Sequence, residues 1–421
     1  MQTSAPGSRK VILAGMAGNL LEWFDFAIYG FFAVTIGKLF FPGEDPVAQV
    51  IAAFGVFAVG FLMRPIGGML LGHIGDRHGR DLAMMISVAA MAIPTFLVGI
   101  LPTYATLGLA APILLLLLRM IQGLSVGGEY TTSVIYMVEH APAKRRGFVG
   151  SFAVLGSVGG MLLGSAVGAL LADILTPEQL ESWGWRLPFF MGLLLGVAGL
   201  YLRRHSGESV QPNSSETRSP LLIALRDHWR VMLRVSGLSL VNAVAFYLLF
   251  VYLVSWLQFV DGLPPAKALE INTASMLLLL PVMLASGWLS DHIGGRILLF
   301  GSSLLMAVFA WPLFWLMHSD QWIDIQLAQM CFAVLLGTFL GAQPAYIVNM
   351  IAKEVRCSAT GLAYNITLGV AGGLSPMAAT WLVHRTHDDL SPAFLIIAAA
   401  FISALAVASD RKPRRVLETS S

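Results

Sequence analysis

Apolar runs about 20 residues long recur along this chain from end to end, separated by short polar breaks. Their length decides the reading, because about 20 residues at a rise of about 1.5 Å each are needed to cross a hydrocarbon core. Twelve membrane-spanning helices are expected, over 11–37, 48–72, 82–101, 108–138, 148–172, 184–202, 232–259, 268–289, 297–317, 324–351, 358–383 and 391–409. The fold class is therefore an all-α membrane protein in two six-helix bundles. The division comes from the longest polar interval, Arg203 to Asp227, whose HSGESVQPNSSETRSP holds too little apolar surface to pack a core. The expected units are an N-terminal bundle over 1–202, a cytoplasmic linker over 203–227 and a C-terminal bundle over 228–421.

Composition agrees: 57% of the 421 residues are hydrophobic and 12% charged, against about 25% charged in a soluble domain, and mean hydropathy is +0.75. Charge placement then gives an orientation. With both termini in the cytoplasm, the outer loops hold only Lys38, Lys267 and Arg385, and nearly all other Lys and Arg residues fall on the inner side, as the positive-inside rule asks. The net charge of +2 is a topology signal and gives no reason to expect nucleic-acid binding. MQTSAPGSRK, ahead of the first span, is polar and no cleavable signal peptide is expected. Cys331 and Cys357 imply no disulfide framework.

The two halves echo each other. GHIGDRHGR, Gly72 to Arg80, follows the second span and GWLSDHIGGR, Gly287 to Arg296, follows the eighth, so that Gly72, Asp76 and Gly79 match Gly287, Asp291 and Gly294 at a constant offset. A similar offset relates Gly123 and Gly127 in the fourth span to Gly337 and Gly341 in the tenth. Such repeats mark secondary transporters that rock around a central site.

GHIGDRHGR resembles the signature loop of the major facilitator superfamily. Within it, GNLLEWFDFAIYG (Gly18 to Gly30), FLMRPIGG (Phe61 to Gly68), RMIQGLSVGGEY (Arg119 to Tyr130), WGWRLPFF (Trp183 to Phe190) and the Tyr364, Asn365, Gly372, Gly373, Pro376 pattern are similar to the metabolite:proton symporters, over essentially the whole chain. Asp81 departs from the further Lys or Arg that the signature loop carries, and the short tail after the last span lacks the coiled coil of the osmosensing branch. The resemblance implies a bacterial inner-membrane carrier, with carboxylates such as citrate, 2-oxoglutarate or shikimate as substrates, or betaines and proline within the same family. It also implies that the Asp of the first span and the Arg of the fourth form the proton-coupling pair, here Asp25 and Arg119.

The residues support this independently. A charge at mid-bilayer costs about 2.5 to 3.5 kcal/mol on insertion scales, so an intramembrane ion is functional by default. Counted along their helices, Asp25 and Arg119 reach similar depths and can meet, and a carboxylate beside a guanidinium has a proton affinity that depends on whether the pair stays together. The alternative is a fixed ion pair that sets helix packing. Glu22 lies three residues before Asp25 on the same side of the helix, and Glu129 and Arg64 fall to a similar depth, giving a second cluster through which a proton could leave. Proton-coupling candidates are thus Asp25, Glu22, Arg119 and Glu129.

Substrate-binding candidates are Arg119, Gln122, Tyr29 and Arg64 from the first half, and Asn242, Tyr247, Gln343, Tyr346, Tyr364 and Asn365 from the second, whose spans carry amides and phenols in place of deep charges. Asp76, Arg77, Arg80 and Asp291 are expected to gate the cytoplasmic side. No metal spacing links His73, His78 and His292, and no nucleophile motif is present, so neither an enzyme nor a cofactor other than the coupling proton is expected. The expectation is a monomeric, proton-coupled importer of a small organic acid in the lipid bilayer, with osmolyte uptake or proton-antiport export as alternatives and a non-transporting receptor as a remote one.

Overall fold

Helix starts are fixed by local chemistry. Asp45 accepts from the Val47 amide at 2.9 Å and Pro46 supplies the first helical residue, the pairing that satisfies an orphan amide and presets φ. Thr176 and Gln179 form a reciprocal capping box on the short helix Pro177–Ser182. In the WGWRLPFF motif, Arg186 Nη1 donates to the carbonyls of Gly99 and Leu101, at 2.8 and 2.7 Å, closing the end of the third span.

The computed structural model describes residues 7–78, 80–126, 129–204, 225–319 and 321–410. Each expected span is occupied by a helix or an interrupted series of helices. These are α1 (Gly7–Phe31, continued by Ala33–Phe40), α2 (Pro46–Leu62 and Arg64–His78), α3 (Arg80–Ile100), α4 (Ala110–Ser125 and Glu129–His140), α5 (Arg146–Ile174) and α6 (Leu187–Arg204). The second half holds α7 (Trp229–Tyr247, a π-turn Leu248–Tyr252, Leu253–Phe259), α8 (Pro265–Ile293), α9 (Gly295–Met317), α10 (Trp322–Met350), α11 (Arg356–Thr367, a π-turn Leu368–Gly372, Gly373–Thr386) and α12 (Pro392–Ala408). Among the described residues, seven helices can cross a membrane unaided by length and composition, eight with α1, which bends by 65° between Glu22–Phe31 and Ala33–Phe40. Among the described residues no strand occurs. Large apolar side chains such as Leu114, Val308, Trp315 and Phe401 stand exposed on the outside, the face a bilayer covers.

Where helices touch, small residues set the distance. On α5, a Cβ added to Gly160 would lie 2.2 Å from the Leu20 carbonyl oxygen of α1, whereas one on the neighbouring Gly159 would meet nothing within 4 Å. Between the halves α5 runs along α8. A Cβ on Gly147 would lie 2.4 Å from the Gly287 carbonyl oxygen, and toward the far end of the same pair Ser165 and Thr273 hydroxyls meet at 2.8 Å. α2 packs on α11, where Phe61 fills the space left by Gly369 and Gly373. The halves therefore meet both at the Lys- and Arg-rich end, the basic end, and at the opposite end, where His384 of α11 reaches Asp45 at 3.7 Å. This is an occluded arrangement.

The π-turn of α7 has identifiable supports. Wider turns leave carbonyls without their usual helical partners, and the carbonyls of Leu249 and Phe250 accept instead from Gln329 Nε2 at 3.0 Å and Asn272 Nδ2 at 3.4 Å. Asn272 also donates to Ser165 Oγ of the first half at 3.0 Å, so the irregular backbone is tied to the interface.

Gly160→Val should lower the melting temperature of the detergent-solubilised protein by a cost of about 1 to 3 kcal/mol, the usual range for overpacking, while Gly159→Val is tolerated. Equal melting temperatures for the two variants would refute the close approach of α1 and α5.

Candidate functional site

Two buried ion pairs stand one helical turn apart on α1. Asp25 Oδ2 lies 3.4 Å from Arg119 Nη1 of α4, and Glu22 Oε1 lies 3.4 Å from Arg64 Nη2 of α2, with all four side chains almost fully enclosed. Gln122, one turn beyond Arg119, completes the first pair. Its oxygen accepts from Arg119 Nη1 at 2.9 Å, and its amide nitrogen donates to Asp25 Oδ2 at 2.8 Å and to Thr95 Oγ1 of α3 at 2.9 Å. The guanidinium of Arg119 sits 3.9 Å from the centre of the Tyr29 ring, while the Tyr29 hydroxyl donates to the Ala53 carbonyl at 3.0 Å. Arg64 lies among the rings of Trp23, Phe26 and Phe61, at 5.1, 4.8 and 4.3 Å from their centres. Ring faces attract cations, which lowers the cost of enclosing two guanidiniums in an apolar bundle.

Compensation is nevertheless incomplete. Asp25 Oδ1, Arg119 Nε and Nη2, and Arg64 Nε are buried with no hydrogen-bond partner among the described residues. A pair optimised only for packing would pair these atoms, because a buried unsatisfied charged group costs more than a neutral one. The free atoms can engage a ligand or a proton.

Beside Arg64, through Trp23, is a box of rings drawn from both halves. Trp23 of α1 stacks on Tyr247 of α7 with ring centres 6.2 Å apart and planes at 25°, and Tyr130 of α4 stacks on Tyr364 of α11 at 5.3 Å and 20°. Trp23 meets Tyr130 edge-on at 6.3 Å. Asn242 joins the second half to the box, donating to the Tyr364 hydroxyl at 2.7 Å and to Gln343 at 3.3 Å. The Trp23 indole nitrogen, the Tyr247 hydroxyl and the Gln343 amide nitrogen are buried without partners among the described residues. Gly372, in the π-turn of α11, is needed where it is, since a Cβ there would lie 2.8 Å from the Tyr247 ring.

The structure brings together Asp25, Glu22, Arg119, Gln122, Tyr29 and Arg64 from the first half with Asn242, Tyr247, Gln343 and Tyr364 from the second. It does not bring in Tyr346, expected at the substrate, because its hydroxyl donates to Asp410 Oδ2 at 2.6 Å beside the end of α12. Asn365 lies on α11 next to Tyr364 and donates to the Gly361 carbonyl of its own helix at 2.8 Å. The side chain of Glu129 lies outside the described residues. Three participants escaped the sequence reading. Trp23 and Tyr130 lie inside the strings already singled out and are adjacent to their charges, so a search for rings beside intramembrane ions finds them; Thr95 carries no such signal.

At the basic end, Asp291 closes the contact between halves. Its two carboxylate oxygens accept from the Gly147 and Phe148 amides at the start of α5, at 2.7 and 2.9 Å, pairing a negative charge with the positive end of a helix. The expected partners Asp76, Arg77 and Arg80 have side chains outside the described residues; Asp76 and Arg77 stand in the last turns of α2 and Arg80 begins α3. Arg356 of α11 forms an ion pair with Glu139 of α4 across the halves, and Arg146 of α5 reaches Asn349 of α10 at 3.4 Å. Asp291→Ala removes an N-terminal cap, worth about 1 to 2 kcal/mol, from the closed arrangement alone. In a Cys331→Ser, Cys357→Ser background, a cysteine introduced at Ser151, under this contact, should then label roughly 5 to 30 times faster with a maleimide; an unchanged rate would remove Asp291 from the gate.

Comparison with known proteins agrees with this architecture. Residues 15–376 match the model of the Major Facilitator Superfamily. The chain is 38% identical over 408 residues to the proline/betaine transporter of Salmonella typhimurium, covering 94% of this chain and 81% of that one. It is 38% identical to the glycine betaine/proline/ectoine/pipecolic acid transporter OusA of Dickeya dadantii, with 94% and 82% covered. A partially occluded inward-open structure of the xylose transporter XylE from E. coli superposes with a TM-score of 0.71 at 18% identity, over 95% of this chain and 98% of that one, which speaks to the fold alone. With its helices, its repeated halves and a family match over most of its length, this chain belongs to the major facilitator superfamily of multi-pass membrane transporters.

Proposed function

We propose that the protein imports a small zwitterion of the betaine or proline type together with protons, by alternating access in a bacterial cytoplasmic membrane with the basic end inward. The observation that carries this reading is the set of two incompletely satisfied ion pairs on α1, with Arg64 lying 5.1 Å from the Trp23 ring that stacks on Tyr247 of the second half. A zwitterion has two ends, and the site offers chemistry for each. The free guanidinium nitrogens of Arg119 and Arg64 suit a carboxylate, and the ring faces of Trp23, Tyr130, Tyr247 and Tyr364 suit an ammonium.

A small organic acid without a cationic group, the first expectation from sequence, uses the arginines but gives the ring box no cation to hold. The relatives, which are transporters of proline and betaine and of glycine betaine, proline, ectoine and pipecolic acid, favour the osmolyte alternative instead. XylE, the structural neighbour, is a proton:xylose symporter, which is consistent with coupling to protons.

Asp25 is the proposed proton site. When a substrate carboxylate engages Arg119, Asp25 loses its counter-charge, and a desolvated carboxylate without one takes up a proton. Binding of substrate and proton then favour each other, and neither travels alone. A neutral zwitterion with one proton moves one net charge, so a membrane potential of 100 mV, worth about 2.3 kcal/mol, supports roughly fiftyfold accumulation.

In proteoliposomes with an inward proton gradient, labelled glycine betaine should accumulate and unlabelled proline should compete where excess citrate does not. Accumulation of citrate without betaine would return the organic-acid reading. Asp25→Asn should abolish uphill uptake and keep exchange of labelled for unlabelled betaine; undiminished accumulation by that variant would remove Asp25 from coupling.

A further inference from the structure

Beyond the central site, a separate cavity of about 440 Å³ opens at the end opposite the basic one, between α2, α7 and α11. Its lining residues include Tyr252, Trp256 and Phe259 of α7, His384 and His387 at the end of α11 and Asp389 in the α11–α12 connection. Two features fit it to a ligand. The Asp389 carboxylate makes no ion pair or hydrogen bond with a described residue, its backbone carbonyl alone accepting from Trp256 Nε1 at 3.0 Å. The other carboxylate at this mouth, Asp45, is already engaged by His384. A lone carboxylate beside aromatic rings is chemistry for a soft organic cation; a strongly hydrated metal ion would ask for more oxygen ligands.

The cavity also lies in line with the central site. Below it Phe54 meets Tyr252 across the halves, ring centres 6.2 Å apart, and Phe57 meets Tyr247 at 6.1 Å. These rings form a plug between the cavity and the Tyr29–Arg119 level, where Tyr29 stacks on Phe57.

We propose that this outer cavity is a waiting site for the onium end of an incoming substrate, held by the Asp389 carboxylate and the rings of Tyr252 and Phe259 while the centre is closed. The substrate class rests on the zwitterion reading above. The order of events follows from the geometry: capture at the mouth by the cationic end, movement of the Phe54–Tyr252 plug, then delivery of the carboxylate to Arg119. The site enriches substrate at the mouth and takes no part in coupling.

Tetramethylammonium tests this, since it carries the onium without the carboxylate that the central arginines select. Titration calorimetry on the full chain in nanodiscs should show saturable binding to the wild type. Asp389→Asn and Phe259→Ala should each weaken it by about two- to fivefold, the scale of one partly exposed cation contact, with Asp389→Glu retaining it. In uptake assays Asp389→Asn should raise KM for betaine while kcat holds, and should relieve inhibition by tetramethylammonium. The proposal is overturned if the wild type does not bind the cation, or if binding is untouched by Asp389→Asn and Phe259→Ala but lost in Trp23→Ala, which places the ion in the central box. Failure of the zwitterion reading shows separately, as absence of betaine uptake by a wild type that still binds tetramethylammonium through Asp389.

Discussion

A charge enclosed in an apolar bundle must find compensation, and here it finds just enough to exist and too little to rest. Asp25 and Arg119 share one contact of 3.4 Å, supplemented by Gln122 and Thr95, while a carboxylate oxygen and two guanidinium nitrogens stay unpaired among the described residues. Full compensation would make the pair a static strut. The shortfall makes the energy of the pair depend on what arrives beside it and on how the helices around it tilt, the differential interaction that any coupled conformational change requires.

Most other features serve to keep that pair dry and adjustable. Phe26, Phe61, Trp23 and Tyr29 cover the guanidiniums with ring faces, which attract a cation without fixing it as a hydrogen bond does. The second half adds Tyr247 and Tyr364, so the ring box beside Arg64 is complete only when the halves meet. Glycines at α5 and α8 let the halves approach to backbone contact at the basic end. There the fastening is by Asp291 at a helix start and by Arg356 with Glu139, polar contacts reached by water once the end opens and so separable at modest cost.

Much of this was legible in the residues. Run length gave the helices, the GHIGDRHGR and GWLSDHIGGR echo gave the two halves, and the expense of an ion in hydrocarbon singled out Glu22, Asp25, Arg64 and Arg119 before their partners were known. Counting residues along each helix placed Asp25 within reach of Arg119. It could not place Tyr346, because depth along a helix says nothing of which neighbour a ring turns toward, and Asp410 was the nearer partner. It could not find Thr95 or the π-turns, since hydrogen bonds to irregular carbonyls depend on α8 and α10 lying beside α7. The relatives favour the osmolyte alternative over the organic acid expected first, and the residues weighted the two the other way for a related reason: arginines announce an anion, whereas rings scattered through an aromatic-rich membrane sequence announce nothing until they are seen to converge.

The π-turn in α7 holds one residue more than the α-turn it replaces. Losing one residue between Leu248 and Phe250 is therefore absorbed by a return to regular winding, and the helix on either side keeps its facing. What changes is the carbonyls: those that now accept from Gln329 and Asn272 find partners within their own helix, and the two amides are left to seek others. The irregular turn is thus a fastening between α7 and its neighbours α8 and α10 that a single-codon deletion undoes without breaking the helix.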